Sequence, residues 1–113
     1  MKVFNYREVL AEDAGEGSSK LKVRWLITKN LGAENFAMRL FEMEPEGYSP
    51  LHTHPWEHEV FILEGEGVVT NGKEKHKFGA GDVVFIPPNE KHQFKNSGKG
   101  KLKFLCLIPY KEK

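Results

Sequence analysis

The chain has 113 residues, which suits one domain and is too short for a (β/α)8 barrel or for a dinucleotide-binding domain with a partner domain. With 17 Lys and Arg against 16 Asp and Glu the net charge is +1, so the chain lacks the basic field that nucleic acid calls for and any acidic tail. Its residues are 39% apolar and 29% charged, a composition for a compact core beneath a heavily charged surface.

The N-terminal residues 1–20 read as a strand and a loop, the loop being Glu12-Asp13-Ala14-Gly15-Glu16-Gly17-Ser18-Ser19. Lys22 to Ile27 is rich in β-branched and aromatic residues and predicts a strand. Asn30 to Ala37 has room for one helical turn, and Phe36 to Glu44 alternates until the turn signal Pro45-Glu46-Gly47. Glu59 to Leu63 is a further strand, broken at Gly65 and Gly67. Gly67 to Thr70 and Lys73 to Phe78 predict a hairpin, with Asn71-Gly72 supplying a type I′ turn. Val83 to Ile86 stops at Pro87-Pro88, His92 to Lys95 alternates, and Leu102 to Ile108 is the last strand. Many short strands with frequent turns predict an all-β sandwich or small barrel in a single domain, 1–113, with its core barrel over 36–109.

Five histidines carry most of the chemical information. His52, His54 and His58 lie in Leu51-His52-Thr53-His54-Pro55-Trp56-Glu57-His58, and His92 follows the Pro87-Pro88 loop. On a strand, positions i and i+2 share a face, so His52 and His54 can aim two imidazoles at one point. After a bend at Pro55, His58 can approach from beside them. Converging neutral imidazoles form a transition-metal site, whereas the plainer reading makes them surface and strand-end residues. His76 stands among Lys73, Glu74, Lys75 and Lys77 and is expected in solvent.

These residues resemble the cupin superfamily. Its first motif is written G-x5-H-x-H-x3,4-E-x6-G, and this chain has Gly47-x4-His52-x-His54-x3-His58-x6-Gly65. The second is G-x5-P-x-G-x2-H-x3-N, and this chain has Gly81-x5-Pro87-x-Asn89-x2-His92-x3-Asn96. The resemblance implies a double-stranded β-helix, or jelly-roll barrel, holding a divalent metal on His52, His54, His58 and His92. His58 stands where the family usually has glutamate. Its neighbours Glu57 and Glu59 fall on the opposite strand face if His58 points inward, and a one-residue slip would admit Glu59 instead. The four-histidine set resembles small single-domain cupins with manganese. Manganese is therefore the expected ion by resemblance, with iron, nickel, zinc, copper and cobalt as alternatives; affinity alone ranks copper, nickel and zinc above manganese and iron.

Strand parity extends the prediction to a pocket. His92 inward puts Phe94 inward, and the lysine-free face of the last strand carries Phe104, Cys106 and Ile108. Arg39 shares a face with Phe41 and Met43; inward, it would hold a substrate carboxylate, and outward it would join a surface pair. Trp56 belongs to the pocket rim or packs beneath it. Phe61, Leu63, Leu105 and Leu107 point away from the pocket and need cover, from the N-terminal strand and from a second subunit, as in the homodimers that cupins of this size resemble.

A lone cysteine, no apolar leader and no apolar run beyond the five residues Phe104–Ile108 lead to the expectation of a cytoplasmic protein without membrane or nucleic-acid partners. The expected function is a metal-dependent oxidoreductase, such as a dioxygenase, on a small organic substrate. The alternatives are a module that binds a small anion or sugar without turnover, and a cupin isomerase or decarboxylase.

Overall fold

A computed structural model describes residues 1–110; the expected domain limit at residue 113 lies outside them. Among the described residues nine strands form one antiparallel sheet: β1 (Glu12–Asp13), β2 (Ser19–Ile27), β3 (Phe36–Tyr48), β4 (His58–Glu64), β5 (Glu66–Thr70), β6 (Lys75–Gly79), β7 (Val83–Ile86), β8 (Gln93–Asn96) and β9 (Leu102–Pro109). The order is β6-β5-β8-β3-β9-β4-β7, with β2 added on β3 and β1 on β2. The sheet curls into the expected all-β jelly-roll barrel. Among the described residues the only helical pieces are single 3-10 turns at Tyr6–Glu8 and Lys29–Leu31, and no helix is long and apolar enough to cross a membrane.

Alternation builds the core. Along β4, His58, Val60 and Ile62 are buried while Glu59, Phe61 and Leu63 are exposed; along β9, Leu102, Phe104 and Cys106 are buried. Val60 pairs with Cys106 and Ile62 with Phe104, so the two inner faces meet in one cluster with Met43, Val69, Phe78, Ile86 and Phe94. At the end of β4, Gly65 has φ +90°, and a Cβ there would sit 2.5 Å from the Lys101 carbonyl oxygen. The turn thus needs glycine both for its left-handed backbone and for the close approach of β9. Asn96, the last residue of the second motif, is buried as a clip. Its Nδ2 donates to the carbonyls of Met43 (3.0 Å) and Gly100 (2.9 Å), and its Oδ1 accepts from Gly98 N–H (2.9 Å).

Several local expectations change. β3 does not stop at Pro45: it runs on to Tyr48, with Glu46 at φ +70° and a register shift against β2 between Ser19 and Leu21. The extra residues are taken up as an irregularity in the ladder, so the turn residues bend the strand without ending it. The hairpin is wider than a two-residue turn, since Thr70 pairs with Lys75. Asn71 Oδ1 accepts from both Lys73 N–H and Glu74 N–H at 2.8 Å, and that side-chain closure replaces the type I′ geometry. Within the expected N-terminal loop, Glu12 and Asp13 pair with Val23 and Lys22. The segment before them is a 3-10 turn where a strand was expected; its Tyr6 lines a surface cleft with Leu63 and Leu105.

Candidate functional site

Three separate pieces of chain bring four imidazoles to one place. His52 lies between β3 and β4 and forms an isolated antiparallel bridge with His92, N–H to carbonyl in both directions at 3.1 and 2.9 Å. His54 is held through its carbonyl, which accepts from Asn89 N–H at 2.7 Å. Asn89 has φ +70°, the left-handed conformation that asparagine tolerates in place of the motif's glycine. His58 opens β4 opposite Ile86 of β7. The expectation that His52 and His54 ride on a strand is corrected: they occupy a loop, and the bridge to His92 supplies the alignment that a strand would have given.

The ring centroids lie 4.3 Å apart for His52 and His54, 4.8 Å for His52 and His92, and 4.7 Å for His58 and His92. His54 lies 5.4 Å from His58 and 6.1 Å from His92. Burial, followed by the neighbouring imidazoles and the Arg39 cation, holds His52 down to about 4 and His58 to about 3. His54 and His92 are lowered too, mainly by burial; for His92 this is opposed by the Glu90 carbonyl. All four rings are therefore neutral near pH 7, the form that offers a lone pair.

Two details bear on what the cluster can hold. His92 Nδ1 donates to the Glu90 carbonyl at 2.9 Å, which leaves its Nε2 unprotonated and free. His58 is buried, its Nε2 has no hydrogen-bond partner, and its Nδ1 lies 3.5 Å from Cys106 Sγ. A buried nitrogen without a partner is unusual and fits a ligand position. Glu59 lies exposed on the other face of β4. Among the described residues no group of three or more His, Cys, Asp or Glu side chains is placed so as to hold a metal ion as it stands. The donor chemistry of the four rings fits a divalent ion; their spacing is looser than a finished coordination shell.

A cavity of about 240 Å³ opens over the cluster, with all four histidines, Arg39, Phe94, Phe104 and Cys106 in its wall. Trp56 is outside that wall and stacks on His54, rings 4.5 Å apart and 8° from parallel. Ile108 is also outside it. It has the parity of Cys106, but β9 has passed the cavity by then, and Ile108 faces a shallow cleft with Phe36 and Glu59. His76 is in solvent, 3.2 Å from Glu74. A larger, open groove of about 600 Å³ lies between the edge strands β6 and β7, but it touches only His92 of the cluster.

Part of the cavity wall escaped the sequence reading. Leu21, Val23 and Trp25 of β2 line it, and Glu12 and Asp13 of β1 stand at its edge. The signal was present, since Leu21, Val23 and Trp25 alternate, but the partner strand was not evident from the sequence.

Comparison with known proteins agrees with this fold. Residues 39–108 match the cupin domain family. The chain is 33% identical over 96 residues to the oxalate-binding protein of Thermotoga maritima, covering 81% of this chain and 78% of that protein. It is 37% identical over 71 residues to the 1-methylthio-D-xylulose 5-phosphate methylsulfurylase of Rhodospirillum rubrum, covering 63% of this chain and spanning only 46% of that protein's length. Among solved structures, the polyketide cyclase RemF of Streptomyces resistomycificus superposes with a TM-score of 0.89 at 33% identity, over 96% of this chain and 79% of that one.

Proposed function

The chain belongs to the cupin family, and from that premise we propose that His52, His54, His58 and His92 hold a divalent transition metal at which a small organic substrate is oxidised. The observation that carries this reading is the convergence of four neutral imidazoles on one cavity, one of them with a buried nitrogen that has no partner. Four neutral donors leave an ion's charge uncompensated; manganese is the ion proposed, by resemblance, with iron, nickel, zinc, copper and cobalt as alternatives. When bound, the ion supplies Lewis acidity and, if redox-active, one-electron chemistry with dioxygen. The chain's own residues bind and shield: Phe94 and Phe104 stack at 5.0 Å on one wall, and Trp56 backs His54.

The cavity wall offers no buried carboxylic acid for proton transfer, since its two carboxylates, Glu12 and Asp13, are exposed on β1. That favours metal chemistry over a general acid-base isomerase or decarboxylase. A second reading, binding without turnover, is favoured by the likeness to a protein named for oxalate binding. Oxygen uptake by metal-loaded protein with a panel of phenolic and 1,3-dicarbonyl compounds separates the two. The oxidoreductase reading expects uptake with at least one of them that depends on the metal; tight binding throughout the panel with no uptake would leave the binding module.

A homodimer belongs to the same proposal. Phe61, Leu63, Val83 and Phe85 are exposed on the outer face of β4 and β7, and β7 ends the sheet. Light scattering should read twice the chain mass, and a monomer at micromolar concentration would contradict it.

A further inference from the structure

The cavity contains a cation that the metal reading does not use. Arg39, on β3, lines the cavity together with the four histidines, its guanidinium carbon 4.9 Å from the Phe41 ring centre and 5.4 Å from that of Trp25. Its Nη2 donates to Cys106 Sγ at 3.0 Å, and its Nε is buried without a partner. Among the described residues no carboxylate lies within ion-pair distance of it, although Arg24, on the neighbouring strand, reaches Glu42 at 3.6 Å. A guanidinium offers five donors, and among the described residues one thiol is its sole acceptor. Such a group is expensive to desolvate unless an anion completes it. The sulfur that holds Arg39 also lies 3.5 Å from His58, so cation and cluster face the same small space.

We propose that Arg39 is the specificity-determining residue of this cavity and that the ligand is a compact organic acid, its carboxylate on the guanidinium and a second oxygen turned toward the histidines. The cavity's 240 Å³ is about eight water volumes, which limits the ligand to a small molecule. The rings of Trp25 and Phe41 lie within cation–π range of the guanidinium and help to hold it in the cavity. The inference rests on the metal reading only for the second point of attachment; the carboxylate subsite belongs to the chain itself.

Pyruvate and its uncharged methyl ester are the probes. Calorimetric titration of manganese-loaded protein should show pyruvate binding that weakens about 10- to 100-fold in Arg39→Gln, with metal content unchanged and a partial recovery in Arg39→Lys. A folded, metal-loaded Arg39→Gln protein that binds pyruvate as tightly as the unaltered chain would overturn the proposal. If the variants do not fold, labelling of the unaltered protein decides. Phenylglyoxal modification, located by peptide mass spectrometry, should be slowed at Arg39 by pyruvate and not by methyl pyruvate, while Arg7 and Arg24 are unaffected. Equal labelling with and without pyruvate would overturn the proposal. Running this in metal-loaded and chelator-treated protein separates the two ideas: absence of metal binding ends the metal reading, while protection of Arg39 without metal still supports the subsite.

Discussion

Replacing His58 by alanine is expected to weaken metal binding beyond the roughly 10- to 100-fold that loss of a merely supporting residue costs, while replacing Glu59 leaves it unchanged. The two residues are neighbours on β4, so the contrast tests strand parity and ligand identity together. His58 is 6% exposed and turned into the cavity, with its Nε2 unpaired; Glu59 is exposed on the opposite face. Removing the imidazole takes away a neutral donor and leaves a void beside Cys106 Sγ. Competition against a chelator of known affinity reads the change. A His58→Ala protein with undiminished affinity would mean that three histidines suffice or that Glu59 swings inward.

A second large effect concerns stability. Ile62→Ala should cost about 2–5 kcal/mol, because Ile62 is 0% exposed and the barrel cannot collapse around the missing atoms. Against a typical total of about 5–15 kcal/mol, that is enough to bring the chain near its folding threshold. Phe61→Ala, one residue away and 43% exposed, should cost under about 1 kcal/mol in the monomer, its loss falling instead on the proposed dimer contact. Thermal or urea unfolding of the two variants checks the ordering. Equal destabilisation would contradict the assignment of β4's inner and outer faces.

Much of this arrangement is legible in the residues, and the reasons why differ from place to place. The alternation of β4 and β9 is intrinsic to strands with one buried face, so the inward set Val60, Ile62, Phe104 and Cys106 follows from parity once His58 and the lysine-free face of β9 are taken as inward. The histidine cluster is legible for a different reason: its members sit at short spacings around Pro55 and beside a proline-rich turn. The expected local geometry was wrong even so, because the bridge between His52 and His92 joins segments forty residues apart. No local pattern reports such a pairing.

The continuation of β3 through Pro45 was hidden by the same difficulty, whereas the wide Asn71–Glu74 turn is a local alternative to the expected one. Pro45 and Asn71-Gly72 are strong local signals, and tertiary pairing with β2 and the Asn71 side chain outweigh them. Arg39 was undecided between pocket and surface because alternation fixes which residues share a face and not which face is inward. Its neighbours across the ladder, Trp25 on β2 and Cys106 on β9, decide that. Ile108 shows the converse: the right parity, carried past the end of the cavity.

The central claim is that four imidazoles form a metal centre, and the most direct test is the metal content of the protein itself. The chain should be produced with manganese, iron, cobalt, nickel, copper and zinc all supplied, purified without chelator or metal-affinity resin, and analysed for elements. The account predicts about one transition-metal ion per chain, lost when His52 and His54 are both replaced by alanine. A folded protein with no transition metal approaching one per chain would contradict it.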